Sequence, residues 1–363
     1  KVLLLNSGMY KIIRPILFRI NPEIVHDSVI ILGNFIGMTP FKKLFGKVYI
    51  YSHPSLKTKV GGIKFDNPVG LSAGFDKNAQ LVNFIPEIGF GFEEIGSVTS
   101  EASKGNPKPR LLRLPSDKGL VVNYGLCNDG AKVISERLKG KFGIPIGVSV
   151  ARTNKPMTER ESIEDYVSGL KKMKSCGNFI VINVSCPNIS DSQPFCKPNR
   201  LSKLLREVDK IKFSKPVFLK MKPDMSRKDI DGVINIVSKY KWIKGFVLTN
   251  LTNSRRGVVS DLGEFRNKGG ISGKLVSKKS DNLIKYIYGK TSGKYILIGV
   301  GGIFTAEDAY RKIRNGASLV QLITGLIYGG PGTVKRINKG LVKLLERDGF
   351  SNISEAVGVD AIK

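Results

Sequence analysis

The sequence predicts an α/β protein, a (β/α)8 TIM barrel preceded by a small N-terminal helical domain. Eight apolar runs of strand length recur along the chain, and helical stretches separate them, as in this barrel. The runs occupy residues 69–73, 92–98, 146–150, 179–183, 217–221, 245–249, 296–300 and 319–322. The chain has 363 residues, which is enough for one large barrel. A doubly wound sheet is the alternative, but no G-x-G-x-x-G motif follows the first run.

The N-terminal region predicts two short amphipathic helices, over residues 9–20 and 22–38. Asn21 and Pro22 separate them and suit an N-cap and first helical position. Helices of this kind either lie at a membrane surface or pack on the main domain, and both can hold together. Further along, residues 58–65 alternate around a Gly-Gly pair, which indicates a β-hairpin. We therefore divide the chain into an N-terminal segment, 1–48, and a barrel domain, 49–363.

Composition narrows the possible functions. Lys and Arg number 59 against 30 Asp and Glu, a formal net charge of +29. Such a charge attracts anions, among them phosphates, acidic lipids, nucleic acid and carboxylate substrates, unless it only reflects a lysine-rich composition. The four cysteines show no metal-binding spacing, and both histidines precede the first barrel run, so no metal site is expected. No apolar stretch reaches the ~20 residues that span a bilayer.

Polar and glycine residues follow the predicted strands, at the end where such barrels place their active sites. These residues are Lys77, Ser97, Asn183, Cys186, Asn188, Lys220, Thr249, Asn250, Gly302 and Thr324. They combine cations, amides and one thiol. Glycines after the last two runs allow backbone N–H groups to approach a phosphate. The set predicts a barrel that binds flavin mononucleotide (FMN) and a small anionic ring with amide groups.

Cys186 lies between Asn183 and Asn188 at the end of the fourth run. Its thiol can exchange a proton with a bound ring, or it can be a small buried hydrophobic residue.

In ordered motifs over nearly its whole length, the chain resembles the dihydroorotate dehydrogenase family. The motifs lie at residues 73–77, 95–99, 183–188, 219–220, 249–250, 269–273, 298–303 and 316–321. The N-terminal residues 17–23 and His26 are similar to the quinone-linked class 2 branch. The tail, residues 344–360, also matches.

The resemblance implies that dihydroorotate is oxidised to orotate in pyrimidine biosynthesis, with hydride passing to FMN and a proton to Cys186. It implies a quinone as electron acceptor, and peripheral contact of the N-terminal helices with a bacterial cytoplasmic or mitochondrial inner membrane. Nucleic acid is not an expected partner. The implied substrate-binding residues are Lys77, Asn123, Asn183, Asn188 and Asn250. The implied FMN contacts are Ala73, Gly74, Lys77, Ser97, Ser149, Asn183, Lys220, Thr249, Gly273, Gly302, Ile323 and Thr324. Arg113 matches an arginine of the quinone tunnel.

The chain departs from the class 2 pattern at several of these positions. Cys186 stands where class 2 has serine and where class 1 has cysteine. A free thiol has a pKa of ~8.5, so a lower pH optimum than in a serine-based relative is expected. Val122 replaces an amide that Asn123 could supply instead.

Three further positions differ from class 2. Ser149 replaces an asparagine, Leu251 a small hydroxyl residue, and Ile323 a tyrosine. The changes at Val122, Leu251 and Ile323 leave open action on another dihydropyrimidine. The charge of +29 and a cysteine in the barrel leave open a flavin enzyme acting on RNA, which is less favoured, and a non-catalytic paralogue that keeps FMN is a further alternative. Residues 187–200 are expected to form a lid.

Overall fold

Eight parallel strands close into a barrel in the computed structural model, which describes residues 7–188 and 195–361. The strands are β3 (Val69–Leu71), β4 (Phe92–Val98), β7 (Ile146–Val150), β8 (Phe179–Asn183), β9 (Val217–Met221), β10 (Ile243–Leu248), β12 (Ile296–Val300) and β13 (Leu319–Leu322). Pairing of β13 with β3 closes the barrel. The predicted fold class is therefore confirmed, and each predicted run overlaps a strand, although β10 begins two residues before its run.

Helices cover the outside of the barrel between successive strands. They are α4 (Gly130–Arg137), α5 (Glu159–Met173), α6 (Pro198–Val208), α7 (Arg227–Val237), α8 (Ser277–Lys290), α9 (Ala306–Arg314), α10 (Thr324–Gly329) and α11 (Thr333–Asp348). Several begin at a residue whose side chain caps the first turn. Thr158 forms a reciprocal capping box with Glu161, and Thr305 accepts from the Asp308 backbone.

Aromatic rings fill the barrel interior near its N-terminal end. Phe92 and Phe179 pack edge to face, 6.2 Å apart at the ring centroids. A Cβ atom at Gly70 would lie 2.4 Å from Phe92, and one at Gly147 would lie 2.2 Å from Phe179. Glycine at these two positions therefore makes room for the rings. The predicted hairpin, β1 (Thr58–Val60) and β2 (Ile63–Phe65), closes this end.

Three helices precede the barrel: α1 (Ser7–Arg19), α2 (Pro22–Met38) and α3 (Lys42–Tyr49). The first two were predicted, with the break at Asn21–Pro22; α3 was not. The Asn21 side chain accepts a hydrogen bond from the Glu23 backbone, 2.8 Å away, and so caps α2. No single helix in the described part of the chain is long and apolar enough to span a bilayer. Helices α2 and α3, bent by 103°, reach that length and composition only as a pair.

A three-stranded antiparallel sheet, which the sequence pattern did not predict, stands beside the C-terminal mouth of the barrel. Its strands are β5 (Leu111–Leu114), β6 (Gly119–Val122) and β11 (Gly270–Gly273), in the order β11–β6–β5. β11 comes from a segment more than 140 residues away from β6, so only the closed barrel brings them together. This sheet supplies one wall of the candidate site.

Candidate active site

The C-terminal strand ends converge on two adjoining cavities. The first, of about 930 Å³, lies between the strand ends and the antiparallel sheet and is here called the ring cavity. Its wall includes these predicted residues: Ala73, Gly74, Lys77, Ser97, Asn183, Cys186, Asn188, Lys220, Asn250, Ile323 and Thr324. The second, of about 530 Å³, is here called the glycine cavity, and its wall adds Thr249, Gly273 and Gly302.

A chain of hydrogen bonds orients the amides of the ring cavity. Asn250 Nδ2 donates to Asn183 Oδ1 at 3.2 Å, and Asn183 Nδ2 donates to Ser97 Oγ at 2.9 Å. Ser97 Oγ is 2.8 Å from Ser149 Oγ. Asn188 is buried, and its Oδ1 has no hydrogen-bond partner in the described structure. An amide oxygen without a partner can accept a hydrogen bond from an N–H group of a bound ring.

Lys77 is a cation without an ion pair among the described residues. Its Nζ lies 3.9 Å from the centre of the Tyr124 ring and 3.4 Å from His26 Nε2. Burial lowers the pKa of Lys77 to about 8. Burial, followed by the charge of Lys77, lowers the pKa of His26 to about 4. An anionic ligand would supply the missing counter-charge.

The loop that carries Lys77 is fixed by the preceding residue. Asp76 is fully buried and accepts hydrogen bonds from the backbone N–H groups of Asn78, Gln80 and Leu81. These bonds hold the turn that follows β3, so Lys77 is presented at the cavity wall from a rigid segment.

Cys186 lies in the wall of the ring cavity, three residues after the end of β8. Burial of its thiol raises the pKa to about 11, while the Asn188 backbone and the charges of Lys220 and Arg152 oppose the rise. At neutral pH the thiol is therefore protonated, which the free-cysteine value did not suggest. Its place beside Asn183 and Asn188 suits exchange of a proton with a bound ring.

Lys220 lies inside the barrel, where it forms an ion pair with Glu94 at 3.0 Å. Both side chains are buried, and Glu94 also accepts a hydrogen bond from Gln321 Nε2 at 2.8 Å. Gln321 Oε1 has no partner among the described residues. The ion pair explains how a lysine is held in the core next to both cavities.

The glycine cavity suits a phosphate. Gly301 and Gly302 follow β12 with φ of 115° and 72°, and Gly273 has φ of 88°. A Cβ atom at Gly302 would lie 2.4 Å from Ser277 Cβ. Backbone N–H groups at such positions can approach phosphate oxygens closely. The two cavities together fit a cofactor with a phosphate at one end and a planar ring at the other.

A third cavity, of about 1150 Å³, runs between the N-terminal helices and the barrel and is here called the apolar tunnel. His26 and Phe75 line both this tunnel and the ring cavity, so the two spaces adjoin. Arg113 lines the tunnel, and its Nη1 donates to the Ile20 carbonyl at 2.7 Å. Apart from Arg113, His26 and Tyr10, the lining is hydrophobic or glycine.

Two of the predicted substrate and FMN contacts line neither the ring cavity nor the glycine cavity. Asn123 faces a separate outer basin, where its Oδ1 accepts a hydrogen bond from Asn106 at 2.9 Å. It therefore does not take the place of the amide lost at Val122. Ser149 is fully buried behind Ser97. The ring cavity is lined by Val122, Leu251 and Ile323. Its rim is therefore more apolar than the class 2 residues at these positions would make it.

Several residues of the site were missed by the sequence analysis. Tyr124 and Cys127 line the ring cavity, and Glu94 balances Lys220. For Glu94 a signal existed, because a glutamate in an apolar strand must be paired and a buried lysine needs an anion. For Tyr124 no signal existed, since its position depends on the antiparallel sheet.

Two further predictions concern a lid over the site and the absence of a metal site. Positions 189–194 of the expected lid lie outside them. Within residues 7–188 and 195–361, no group of three or more His, Cys, Asp or Glu side chains could hold a metal ion.

The chain is similar in sequence to known proteins over most of its length. The sequence profile named dihydroorotate dehydrogenase matches residues 55–345. A relative from Gloeobacter violaceus, named dihydroorotate dehydrogenase (quinone), is 38% identical over 352 residues, 96% of this chain and 98% of its own. A protein of the same name from Mycolicibacterium smegmatis is 39% identical over 356 residues, 96% of this chain and 99% of its own.

Solved structures are similar as well. The crystal structure of DHODH from Eimeria tenella in complex with ferulenol has a TM-score of 0.85 at 27% identity, over 96% of this chain and 98% of that one. The ligand-free structure of that protein has a TM-score of 0.84 at 28% identity, over 93% of this chain and 99% of that one.

Proposed function

The chain belongs to the dihydroorotate dehydrogenase family, and from that membership we propose that it oxidises dihydroorotate to orotate and passes the electrons to a quinone. The observation that carries this proposal is the unpaired Lys77 in one cavity with Cys186 and three asparagines. A carboxylate, a ring with amides and an acidic C–H bond are the three features of dihydroorotate that these groups match.

The family is flavin-dependent, and FMN is the flavin that the two cavities fit. The glycine cavity would hold its phosphate through the backbone of Gly273, Gly301 and Gly302. Lys220 and the hydrogen-bonded Asn183 and Ser97 would hold its ring. When bound, FMN supplies a two-electron acceptor for hydride. Lys220 would stabilise the negative charge of the reduced ring, and its ion pair with Glu94 holds the lysine in place in the core.

The protein side chains hold the substrate and take its proton. Lys77 pairs with the carboxylate, and Asn183, Asn188 and Asn250 fix the amides of the ring. Cys186 accepts the proton as the hydride leaves, which requires its thiolate form. The apolar rim formed by Val122 and Leu251 excludes water from this side.

Stopped-flow mixing of the flavin-loaded enzyme with dihydroorotate tests the reaction. The oxidised-flavin absorbance is expected to bleach in a single turnover without any quinone. The variant Lys77→Met should need much higher substrate concentrations for the same rate. Absence of bleaching at millimolar dihydroorotate would rule the substrate out.

A second candidate substrate is another dihydropyrimidine, favoured by Val122, Leu251 and Ile323 in the wall of the ring cavity. Each replaces a polar residue of class 2, and a missing hydrogen bond costs ~1–3 kcal/mol. Flavin bleaching by dihydrouracil or dihydrothymine at lower concentrations than dihydroorotate would favour this candidate. The variant Val122→Asn should then shift the preference toward dihydroorotate.

The apolar tunnel is the route that we assign to the quinone. It adjoins the ring cavity and opens between helices that expose apolar side chains, among them Ile12, Ile31 and Met38. We assign residues 1–48 as the segment that forms the tunnel and contacts a membrane, and 49–363 as the FMN-binding barrel. This membrane would be the bacterial cytoplasmic or mitochondrial inner membrane.

A further inference from the structure

Arg152 is a buried cation that the reaction described above does not use. It lies two residues beyond the end of β7, and only 1% of its surface is exposed. Its Nη1 donates to the Lys155 carbonyl at 3.0 Å and weakly to the Thr153 carbonyl at 3.5 Å. Its Nε has no partner, and it forms no ion pair within the described residues.

Asp165 of α5 contacts the residue after Arg152, but its carboxylate is already engaged. Its two oxygens accept from the Thr153 backbone at 2.7 Å and from Thr153 Oγ1 at 2.9 Å. A buried guanidinium without a carboxylate is unfavourable, because it has lost its hydration and no opposite charge compensates for that loss. Such a cost is explained when the cation faces a group that is negative in the reactive form of the enzyme.

The fold brings Arg152 close enough to Cys186 for its charge to act on the thiol. β7 and β8 are neighbouring parallel strands, with Val150 paired to Ile182, so the segments after them leave the barrel side by side. Tyr166 ties the two segments together. Its hydroxyl donates to the Asn183 carbonyl at 2.9 Å and contacts the backbone of Arg152. Arg152 does not line the ring cavity, so it acts on Cys186 from the protein side.

Four elements surround the Cys186 thiol with titratable or charged groups. Lys220 comes from β9, Tyr166 from α5, Arg152 from the segment after β7, and Glu94 of β4 lies behind Lys220. Lys220 is neutralised by Glu94, and burial raises the pKa of Tyr166, which stays uncharged. Arg152 is therefore the cation near Cys186 whose charge no described carboxylate balances.

We propose that Arg152 is a positioning residue whose buried positive charge stabilises the thiolate of Cys186, the form that accepts the substrate proton. This proposal rests on the proposed function, because it takes Cys186 as the proton acceptor. The charge acts before the proton transfer, by increasing the fraction of enzyme that carries a thiolate.

The test measures alkylation of Cys186 by iodoacetamide in the flavin-loaded enzyme without substrate. Peptide mass spectrometry reads Cys186 separately, with Cys127, Cys176 and Cys196 as internal references. Near pH 8, Arg152→Met should slow alkylation of Cys186 about tenfold or more, because a one-unit rise in pKa lowers the thiolate fraction tenfold. Arg152→Lys keeps the charge and should stay within about threefold of the parent enzyme.

If Arg152 had only a structural role, the alkylation rates of the two variants would follow a different pattern. Loss of the bonds to Thr153 and Lys155 would then loosen the loop in both variants and leave alkylation of Cys186 unchanged or faster. That result would overturn the proposal. Should Arg152→Met not fold, Arg152→Gln provides the neutral variant, with Arg152→Lys as its charged match.

The pH profile of flavin reduction by dihydroorotate supplies the second readout. In Arg152→Met the rise of the rate with pH should move upward by about one unit, and in Arg152→Lys it should not. An unmoved profile would count against the proposal. Alkylation does not require that dihydroorotate be the substrate, so failure of the proposed function and failure of this inference give different results.

Discussion

At the scale of the residue, Cys186 shows how surroundings change the chemistry of a side chain. A free thiol titrates near ~8.5, and from that value a pH optimum near neutrality is expected. Burial raises the pKa of Cys186 to about 11. The value still lies far below that of a serine hydroxyl, so the thiol remains the easier base, but the thiolate is a small fraction at neutral pH.

The first prediction concerns the pH dependence of the reductive half-reaction. At saturating dihydroorotate, the rate of flavin reduction should keep rising beyond about pH 9, because the thiolate fraction grows until pH approaches the raised pKa. Over the same range the KM should increase above about pH 8, since the Lys77 charge is lost there. Stopped-flow measurements at several pH values separate the two effects. A rate that levels off at pH 7 would contradict the raised pKa.

A second prediction concerns His26, whose Nε2 lies 3.4 Å from Lys77 Nζ. Replacement of Lys77 by Gln removes a repulsive charge, so the pKa of His26 should rise from about 4. It should remain below 6.5, because burial is the larger cause of the shift. Carbon-13 NMR of labelled histidine can follow this directly, since the chain has only two histidines. His53 serves as the internal control, and an unmoved His26 would show that the contact is not electrostatic.

At the scale of the element, the strands of the barrel create pairs that no single segment contains. Glu94 of β4 and Lys220 of β9 are separated in sequence by more than 120 residues, yet they form a buried ion pair. Removal of one member leaves the other charge buried and unpaired.

The third prediction follows from this pair. Glu94→Gln should lower the free energy of unfolding by ~3–5 kcal/mol, as for other broken buried pairs. Glu264→Gln removes the exposed partner of Lys268 and provides the control, with an expected loss below ~1 kcal/mol. Urea denaturation followed by circular dichroism measures both. An equally small loss of unfolding free energy in both variants would mean that water reaches Lys220.

Hydrogen bonds from two arginine side chains hold helix α1 against the rest of the molecule. Arg113 of β5 donates to the carbonyls of Ile20 and Phe18, and Arg14 of α1 donates to the Tyr328 carbonyl at 3.0 Å. These bonds fix α1 over the apolar tunnel.

The fourth prediction uses Arg113. Arg113→Met should lower quinone turnover about tenfold, a loss of about 1.4 kcal/mol of transition-state stabilisation, and leave flavin reduction by substrate nearly unchanged. The reason is that Arg113 lines the tunnel and not the ring cavity. Lys11→Met, on the exposed part of α1, is the control. Equal loss of both half-reactions would indicate that Arg113 supports the whole fold.

At the scale of the whole molecule, exposed apolar side chains are concentrated on one part of the surface. Ile12, Phe35 and Met38 of the N-terminal helices, and Phe41 of the turn between α2 and α3, are 65–75% exposed. The chain also carries a net charge of +29. An apolar surface on a basic protein suits insertion among anionic lipid headgroups.

The fifth prediction tests this surface by co-sedimentation with vesicles. The protein should bind vesicles that contain an anionic phospholipid, and salt should weaken binding because exposed charges are screened. Replacement of Phe35 and Met38 together by Ser should reduce binding. Val259→Ser is the matched control, because Val259 is 76% exposed on the barrel side. Equal binding by both variants would exclude the helices as the contact.

The sequence by itself determined the barrel and most of the candidate site. Strand-length apolar runs, each buried on both faces, require covering helices, and parallel strands bring their C-terminal ends to one face. Lys77, Asn183, Cys186 and Asn250 therefore line one cavity, at or beyond the ends of β3, β8 and β10.

Only the tertiary structure decided which neighbours surround these residues. Asn123 and Val122 are adjacent in sequence, but β6 turns one toward the outer basin and the other toward the ring cavity. The pKa of Cys186, the pairing of Lys220 with Glu94 and the position of Arg152 depend on strands far apart in the chain. Solvation and charge pairing are properties of three-dimensional surroundings, so local sequence could name the reactive residues but could not set their chemistry.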